Sequence, residues 1–403
     1  MEAPLGRDAV SRGCPVCGAA GADVLFRQEF AVVEGATPVD GYDVAVCRTC
    51  GFGFADGIPS QVVFDRYYRD LSKYENHHRG GAESPHDRRR FALIADLVCG
   101  HLASRAVRIL DVGCATGGLL ADIRSRGFAA VTGLDPSPGC AEAARRLYDL
   151  DVLTMPLADL ARAGGRFDVA LMIGVLEHLR DLAPALRDLR SILDGDGLLY
   201  IEVPDVTAFA DWPNAPYQDF STEHINFFSP SSLDNLMTRN GFSRVFLERN
   251  HREQSHRTVM SNVSAMYRRD GVADRGATTV DHETREGLER YIKSCRAEDE
   301  RVRKAIDAVL EARRQILVWG VGTHTSRLMA TSRLADARIV AFIESNTRYH
   351  GRTLLGRPIL APEALKDHEE PVLISSRVFQ TEIVNQIRKD LGCSNELLLL
   401  YHD

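Results

Sequence analysis

The stretch Val107-Arg-Ile-Leu-Asp111, followed by Val112-Gly113-Cys114-Ala115-Thr116-Gly117-Gly118, constrains this chain more than any other. An apolar run that ends in an acid, passes through glycines and opens a helical pattern near Leu119 reads as strand, turn and helix. Glycines in such a turn let the backbone approach a ligand and leave amides of the helix start unpaired. Those amides suit a carboxylate as well as a phosphate. Val131-Thr-Gly-Leu-Asp135 then reads as a second strand. An acid at its tip is placed to accept hydrogen bonds from both ribose hydroxyls. Over residues from about 85 to 270, short apolar runs alternate with amphipathic stretches, the pattern of a parallel sheet with crossover helices.

A chain of 403 residues exceeds what one core usually serves, so two or three domains are expected. The boundaries read as 1–57, 58–275 and 276–403. The highly charged segment 280–315 carries Leu288, Ile292, Cys295, Val302, Ile306 and Val309 at helical spacing, which predicts one or two long helices. A buried strand, Ile316-Leu-Val-Trp319, follows and runs into Gly320-Val-Gly322 to open a second α/β pattern. The net charge of -7 favours neither nucleic acid nor anionic lipid as a partner. No apolar run reaches the length that spans a bilayer, and the first residues lack the basic and apolar regions of a signal peptide. The expectation is a cytoplasmic protein, monomer or homodimer, that acts on a small molecule.

Cys14-Pro-Val-Cys17 and Cys47-Arg-Thr-Cys50 are two tight pairs, each followed by glycine. Two such knuckles supply four thiolates to one tetrahedral zinc. The set leaves no open ligand position, so the metal is expected to be structural. A redox pair of the thioredoxin kind would open a helix after a strand, which neither pair does.

The turn departs from the dinucleotide pattern G-x-G-x-x-G, because three other residues follow Gly113. Asp111-Val-Gly-Cys-Ala-Thr-Gly117 resembles the first motif of class I methyltransferases. Phe167-Asp168-Val-Ala-Leu-Met, Val175-Leu-Glu177-His178-Leu at the start of the next helix, and Leu193-Asp-Gly195-Asp-Gly197 before another strand agree with it in order. The resemblance implies an α/β fold, a class I methyltransferase Rossmann-like sheet, with S-adenosyl-L-methionine as cofactor. It implies that Asp111, Gly113, Cys114, Ala115, Thr116 and Gly117 face the methionine portion, and that Asp135 with Pro136 holds the ribose. In Met155-Pro-Leu-Ala-Asp159-Leu160, Asp159 and Leu160 are implied near the adenine.

An aromatic-rich segment from Trp212 to Phe228 contains Ser221-Thr-Glu223-His224-Ile-Asn226. Beyond the strand ends of such a sheet, substrate meets the reactive group. An imidazole beside a carboxylate titrates near neutral pH and can take a proton. Here the whole chain resembles three-part sugar C-methyltransferases, which carry an N-terminal zinc lobe, a class I domain and a C-terminal Rossmann-like domain. The resemblance implies methylation beside the ketone of a nucleotide-linked keto-deoxysugar. It implies His224 as base, Glu223 and His178 as polar partners, and Tyr74 as a further contact. The sequence departs from that family at Ser221, where a tyrosine is usual. An O- or N-methyltransferase of a sugar or related small precursor is the alternative, and a binding protein without turnover is a second.

Overall fold

The computed structural model describes residues 11–72, 83–212, 214–253, 258–270 and 278–401. The chain divides into two compact units. One comprises residues 1–25, 45–209 and 225–288, and the other 26–44, 210–224 and 289–403.

Strands β1 (Ala22–Glu29), β2 (Gly41–Cys47) and β3 (Gly53–Asp56) lie in one small sheet, in that order, completed by a two-residue strand at Asn226–Phe227. The large sheet of the first unit begins with β4 (Ile109–Val112), β5 (Val131–Asp135), β6 (Val152–Thr154), β7 (Phe167–Ile173) and β8 (Leu193–Pro204). These five strands pair in parallel. With β9 (Asn226–Phe227) assigned to the small sheet, β10 (Phe242–Glu253) and β11 (Val259–Arg269) complete the large one in the order β10-β11-β8-β7-β4-β5-β6. β11 is antiparallel to both its neighbours. The reversal of strand order between β4 and β7 creates the crevice where such sheets bind ligands.

Parallel strands are buried on both faces, so they read as nearly continuous apolar runs. Ile109, Leu110, Val169, Ala170, Leu171 and Met172 are each at most 1% exposed. Among the helices of this unit, those that begin at Pro85, Pro138 and Pro230 start at a side-chain cap. In α1 (Gln61–Leu71) no side chain caps the start, whereas α2 (Pro85–Gly100) has Ser84 accepting the Asp87 amide and proline in its first turn. The helix α3 (Gly118–Ser125) follows the glycine turn, and α4 (Pro138–Tyr148) is capped by Ser137 on the Cys140 amide. A short α5 (Leu160–Ala163) and α6 (Leu182–Ile192) follow, then α7 (Pro230–Arg239), whose Ser229 and Ser232 form a reciprocal capping box. Residues 176–178 form a 3-10 turn, and α6 starts only at Leu182, so Val175-Leu-Glu177-His178-Leu does not open the helix as expected. The chain extends again at Leu179, which interrupts the helical path after one turn.

The charged segment forms a single 29-residue helix, α8 (Glu283–Glu311). Leu288, Ile292, Cys295, Val302 and Ile306 are buried on it, as their spacing predicts, whereas Val309, expected with them near the end of the helix, is only half-buried.

The second unit holds β12 (Gln315–Trp319), β13 (Arg338–Ile343), β14 (Thr353–Leu354), β15 (Arg357–Leu360), β16 (Val372–Ile374) and β17 (Leu397–Leu399). Their order is β14-β15-β13-β12-β16-β17, parallel except for the β14–β15 hairpin. Helix α9 (Thr323–Thr331) follows β12 directly, and α10 (Gln380–Asn385) follows β16. Leu317, Ala341, Ile343, Val372 and Ile374 form the centre of its core.

Candidate functional site

The glycine turn leaves β4 at Val112 and enters α3 at Gly118. Gly113 has φ 71°, and a Cβ there would lie 2.8 Å from a Val175 methyl group. Only glycine meets both demands, so the turn and the start of the 176–178 segment close on each other. The Gly113 amide donates to the Leu134 carbonyl at 2.7 Å, the Ala115 amide to one Asp135 carboxylate oxygen at 3.0 Å, and the Ser137 amide to the other at 2.9 Å. Ala115 itself takes a positive φ of 47°, which the Asp135 contact holds in place.

Asp111 is 4% exposed and sits at the end of β4. Burial, then the nearby Asp135 charge, pushes its carboxyl up to about 8. An acid in that condition gains its charge most readily when a cation arrives. Cys114 and Thr116 are buried, and Gly117 caps α3 with φ 82°. Glu83 packs against the start of α3 at Gly118, where its Oε1 accepts from the Thr116 hydroxyl at 3.3 Å, so the turn is ringed by acids, which suits a cationic nucleoside. Pro136 continues the tip of β5 beyond Asp135, between the two residues whose amides or carboxylate close the turn.

Asp159 ends a 3-10 turn after β6, and its side chain pairs with Arg162 at 3.0 Å. Leu160, next to Asp159, is fully buried in the hydrophobic core, so its backbone is the part that a ligand could reach. Asp168 opens β7, at the end of the strand opposite to Ile173. There it binds Arg108 through two oxygens, and that cation holds its carboxyl down at about 2.

The turn that carries Glu177 and His178 is anchored from β9. The Ile225 amide donates to the Glu177 carbonyl at 2.8 Å, and Asn226 Nδ2 donates to the carbonyls of Leu176 and Leu179 at 2.8 and 2.7 Å. Glu177 is 3% exposed. The Tyr68 hydroxyl lies 3.0 Å from His178 Nδ1, with the rings edge to face. Tyr74 lies outside the described residues. Tyr68, on α1, is the phenol beside His178; nothing in its local pattern separates it from an ordinary helix residue.

Glu223 and His224 belong to the segment 210–224 of the second unit. Ser221 Oγ accepts the Glu223 amide at 3.2 Å and the His224 amide at 3.0 Å, and the Tyr42 hydroxyl donates to the Ser221 carbonyl at 2.9 Å. The serine is thus a turn-forming side chain that fixes the backbone under His224.

The four knuckle cysteines come together in the first unit. Cys14 Sγ and Cys50 Sγ are 3.5 Å apart, as are those of Cys17 and Cys47, and all four sulfurs lie within 4.8 Å of one another. Gly51 is held against Asp281, whose carbonyl oxygen an added Cβ would strike, and the Asp281 amide donates to the Cys50 carbonyl at 2.9 Å. The set suits a soft, tetrahedral cation. No helix among the described residues is long and apolar enough to cross a membrane.

A family model described as a methyltransferase domain matches residues 64–245, and a second, described as C2185-like, N-terminal, matches residues 312–398. The ubiquinone biosynthesis O-methyltransferase of Methylobacterium nodulans is 33% identical over 124 residues, 28% of this chain and 49% of that protein. The protein of the same name from Cereibacter sphaeroides is 38% identical over 157 residues, 36% of this chain and 63% of that protein. The chain thus spans about half the length of the first such relatives it matches. Among solved structures, the 1,6-didemethyltoxoflavin-N1-methyltransferase of Burkholderia thailandensis is 21% identical, with 54% of this chain and 96% of that one covered and a TM-score of 0.40. The magnesium protoporphyrin IX methyltransferase of Synechocystis is 16% identical, with 52% and 100% covered and a TM-score of 0.40. Residues 64–245 of this chain are a class I S-adenosylmethionine-dependent methyltransferase domain.

Proposed function

We propose that the protein transfers a methyl group from S-adenosyl-L-methionine to the carbon beside the ketone of a nucleotide-linked keto-deoxysugar. The observation that carries the reading is the clamp of Ile225 and Asn226 on the 176–179 turn. It ties the chain next to His224 to the turn that carries Glu177 and His178.

The bound cofactor supplies an electrophilic methyl group on a sulfonium. Asp111, Ala115, Thr116 and Asp135 hold it. His224 takes the proton beside the ketone, and the backbone turn built by Ser221 sets where its imidazole starts. His178, with Tyr68 against its ring, and Glu223 supply polar groups around the ketone, where donors stabilise the enolate. Orientation of the carbanion carries much of the rate. Cys14, Cys17, Cys47 and Cys50 hold one structural zinc. The three sequence segments 1–57, 58–275 and 276–403 are proposed as the zinc lobe, the transfer domain and the C-terminal part.

The match to O-methyltransferases favours a second reading, in which His224 takes the proton of a hydroxyl or amine. Incubation with carbon-labelled cofactor and a nucleotide 4-keto-deoxysugar, followed by NMR location of the methyl group, separates the two. A methyl on carbon is expected. A methyl on oxygen or nitrogen overturns the first reading in favour of the second.

A further inference from the structure

We infer that Tyr68 is a positioning residue for His178. Its hydroxyl donates to Nδ1 and fixes a neutral imidazole with the proton on Nε2, so that His178 serves as a hydrogen-bond donor to an acceptor oxygen and not as a base.

Helix α1 sets where the phenol stands. Gln61 and Tyr68 are seven positions apart, about two turns, and share a face of the helix. Gln61 Oε1 accepts the Arg180 amide at 2.8 Å, two residues beyond His178. Phe64 and Leu71, at helical spacing from Gln61, are buried. At the other end of the helix, Ser72 Oγ lies 3.4 Å from Cys140 Sγ in the first turn of α4. The helix is thus tied at its start to the chain that follows β7 and at its end to the chain that follows β5. β4 lies between those two strands, so α1 crosses the carboxyl end of the crevice.

Two contacts on opposite sides of the ring assign its proton. The Tyr68 Oη lies 3.0 Å from His178 Nδ1, with the ring centroids 5.7 Å apart and the planes at 76°. Glu177 Oε1 lies 3.9 Å from His178 Nε2. That distance is too long for a hydrogen bond, yet short enough for the negative charge to favour a proton on Nε2. A neutral imidazole has one N–H and one acceptor nitrogen, and a phenol has an O–H to give. Nδ1 therefore accepts from Tyr68, and Nε2 keeps the hydrogen. A ring in this state polarises a carbonyl oxygen or holds an enolate. It takes no proton from the acceptor, because Nδ1 is engaged by the phenol and Nε2 is already protonated. The role toward the acceptor rests on the reaction proposed above, where it leaves the base to His224 and gives His178 the ketone oxygen. The tautomer itself does not depend on that reaction.

The test is nitrogen NMR of the full-length protein labelled with 15N-histidine and saturated with S-adenosylhomocysteine, at about pH 8, where an ordinary imidazole is neutral. The signals of His178 are those lost in His178→Gln. Its Nδ1 should have the shift of an unprotonated nitrogen and its Nε2 that of a protonated one. Tyr68→Phe keeps the ring and removes the O–H, so both tautomers should appear. With a nucleotide 4-keto-deoxysugar, that variant should lose at least fivefold in kcat, while KM and the affinity for S-adenosylhomocysteine change less than twofold. A protonated Nδ1 in the wild type, or a His178 spectrum that Tyr68→Phe leaves unchanged, overturns the inference. An altered spectrum with full kcat overturns the positioning role. The spectra need no acceptor, so they decide the tautomer even where the keto-sugar is not methylated, a result that counts against the proposed function alone.

Discussion

The Ala115 amide donates to the Asp135 carboxylate at 3.0 Å, so the glycine turn and the tip of β5 form one piece. The acid holds the turn in a strained backbone state, and the proposed function gives it the ribose as a second task.

Asp135→Ala should lower affinity for S-adenosylhomocysteine about 10- to 100-fold, because charge-assisted hydrogen bonds contribute about 1.5–3 kcal/mol. Calorimetry checks the affinity. Thermal melting should also fall by several degrees through loss of the Ala115 and Ser137 bonds. Unchanged affinity would remove the assignment of this residue.

Asp111 sets a pH dependence with a definite sign. Its carboxyl is raised from 3.8 to about 8 by burial and by Asp135. A raised value means that the stability it contributes is complete below 3.8 and is lost as pH rises through about 8. Cofactor affinity should run the other way and increase between pH 7 and 9, with a proton released on binding below that range. Calorimetry in buffers of different ionisation heat counts that proton. Asp111→Asn should flatten the profile, melt later than the wild type at pH 9 and bind the cofactor weakly.

His224→Ala should reduce turnover at least about 100-fold, the usual contribution of a positioned base. Affinity for the cofactor product should change less than threefold. Ser221→Ala should give a smaller loss, since it frees the His224 backbone and keeps the ring. Full activity of His224→Ala would transfer the base role to another group.

The cysteine cluster should bring one zinc per chain through purification in metal-free buffer, measured by atomic emission. Cys50→Ser should lower both zinc content and melting temperature, because thiolate ligation and the Asp281 contact meet at this residue. A chain that is fully folded without zinc would refute the structural role.

The local pattern of the sequence carried the glycine turn, the acids Asp111 and Asp135, the parallel strands, the long helix of 283–311 and the two cysteine knuckles. Each depends on side chains a few residues apart, and burial on both sheet faces writes itself as continuous apolar runs. Tertiary structure alone decided what each acid does. Asp168 opens its strand in the same way that Asp111 and Asp135 close theirs, yet Arg108 holds it at the opposite strand end from the crevice. Only folding set Tyr68 beside His178, made Ser221 the support of the His224 backbone and buried Leu160 in the core. The reason is physical: periodicity reports which face a residue turns to the core, but a hydrogen-bond partner 50 or 100 residues away is chosen by how the strands are ordered in the sheet.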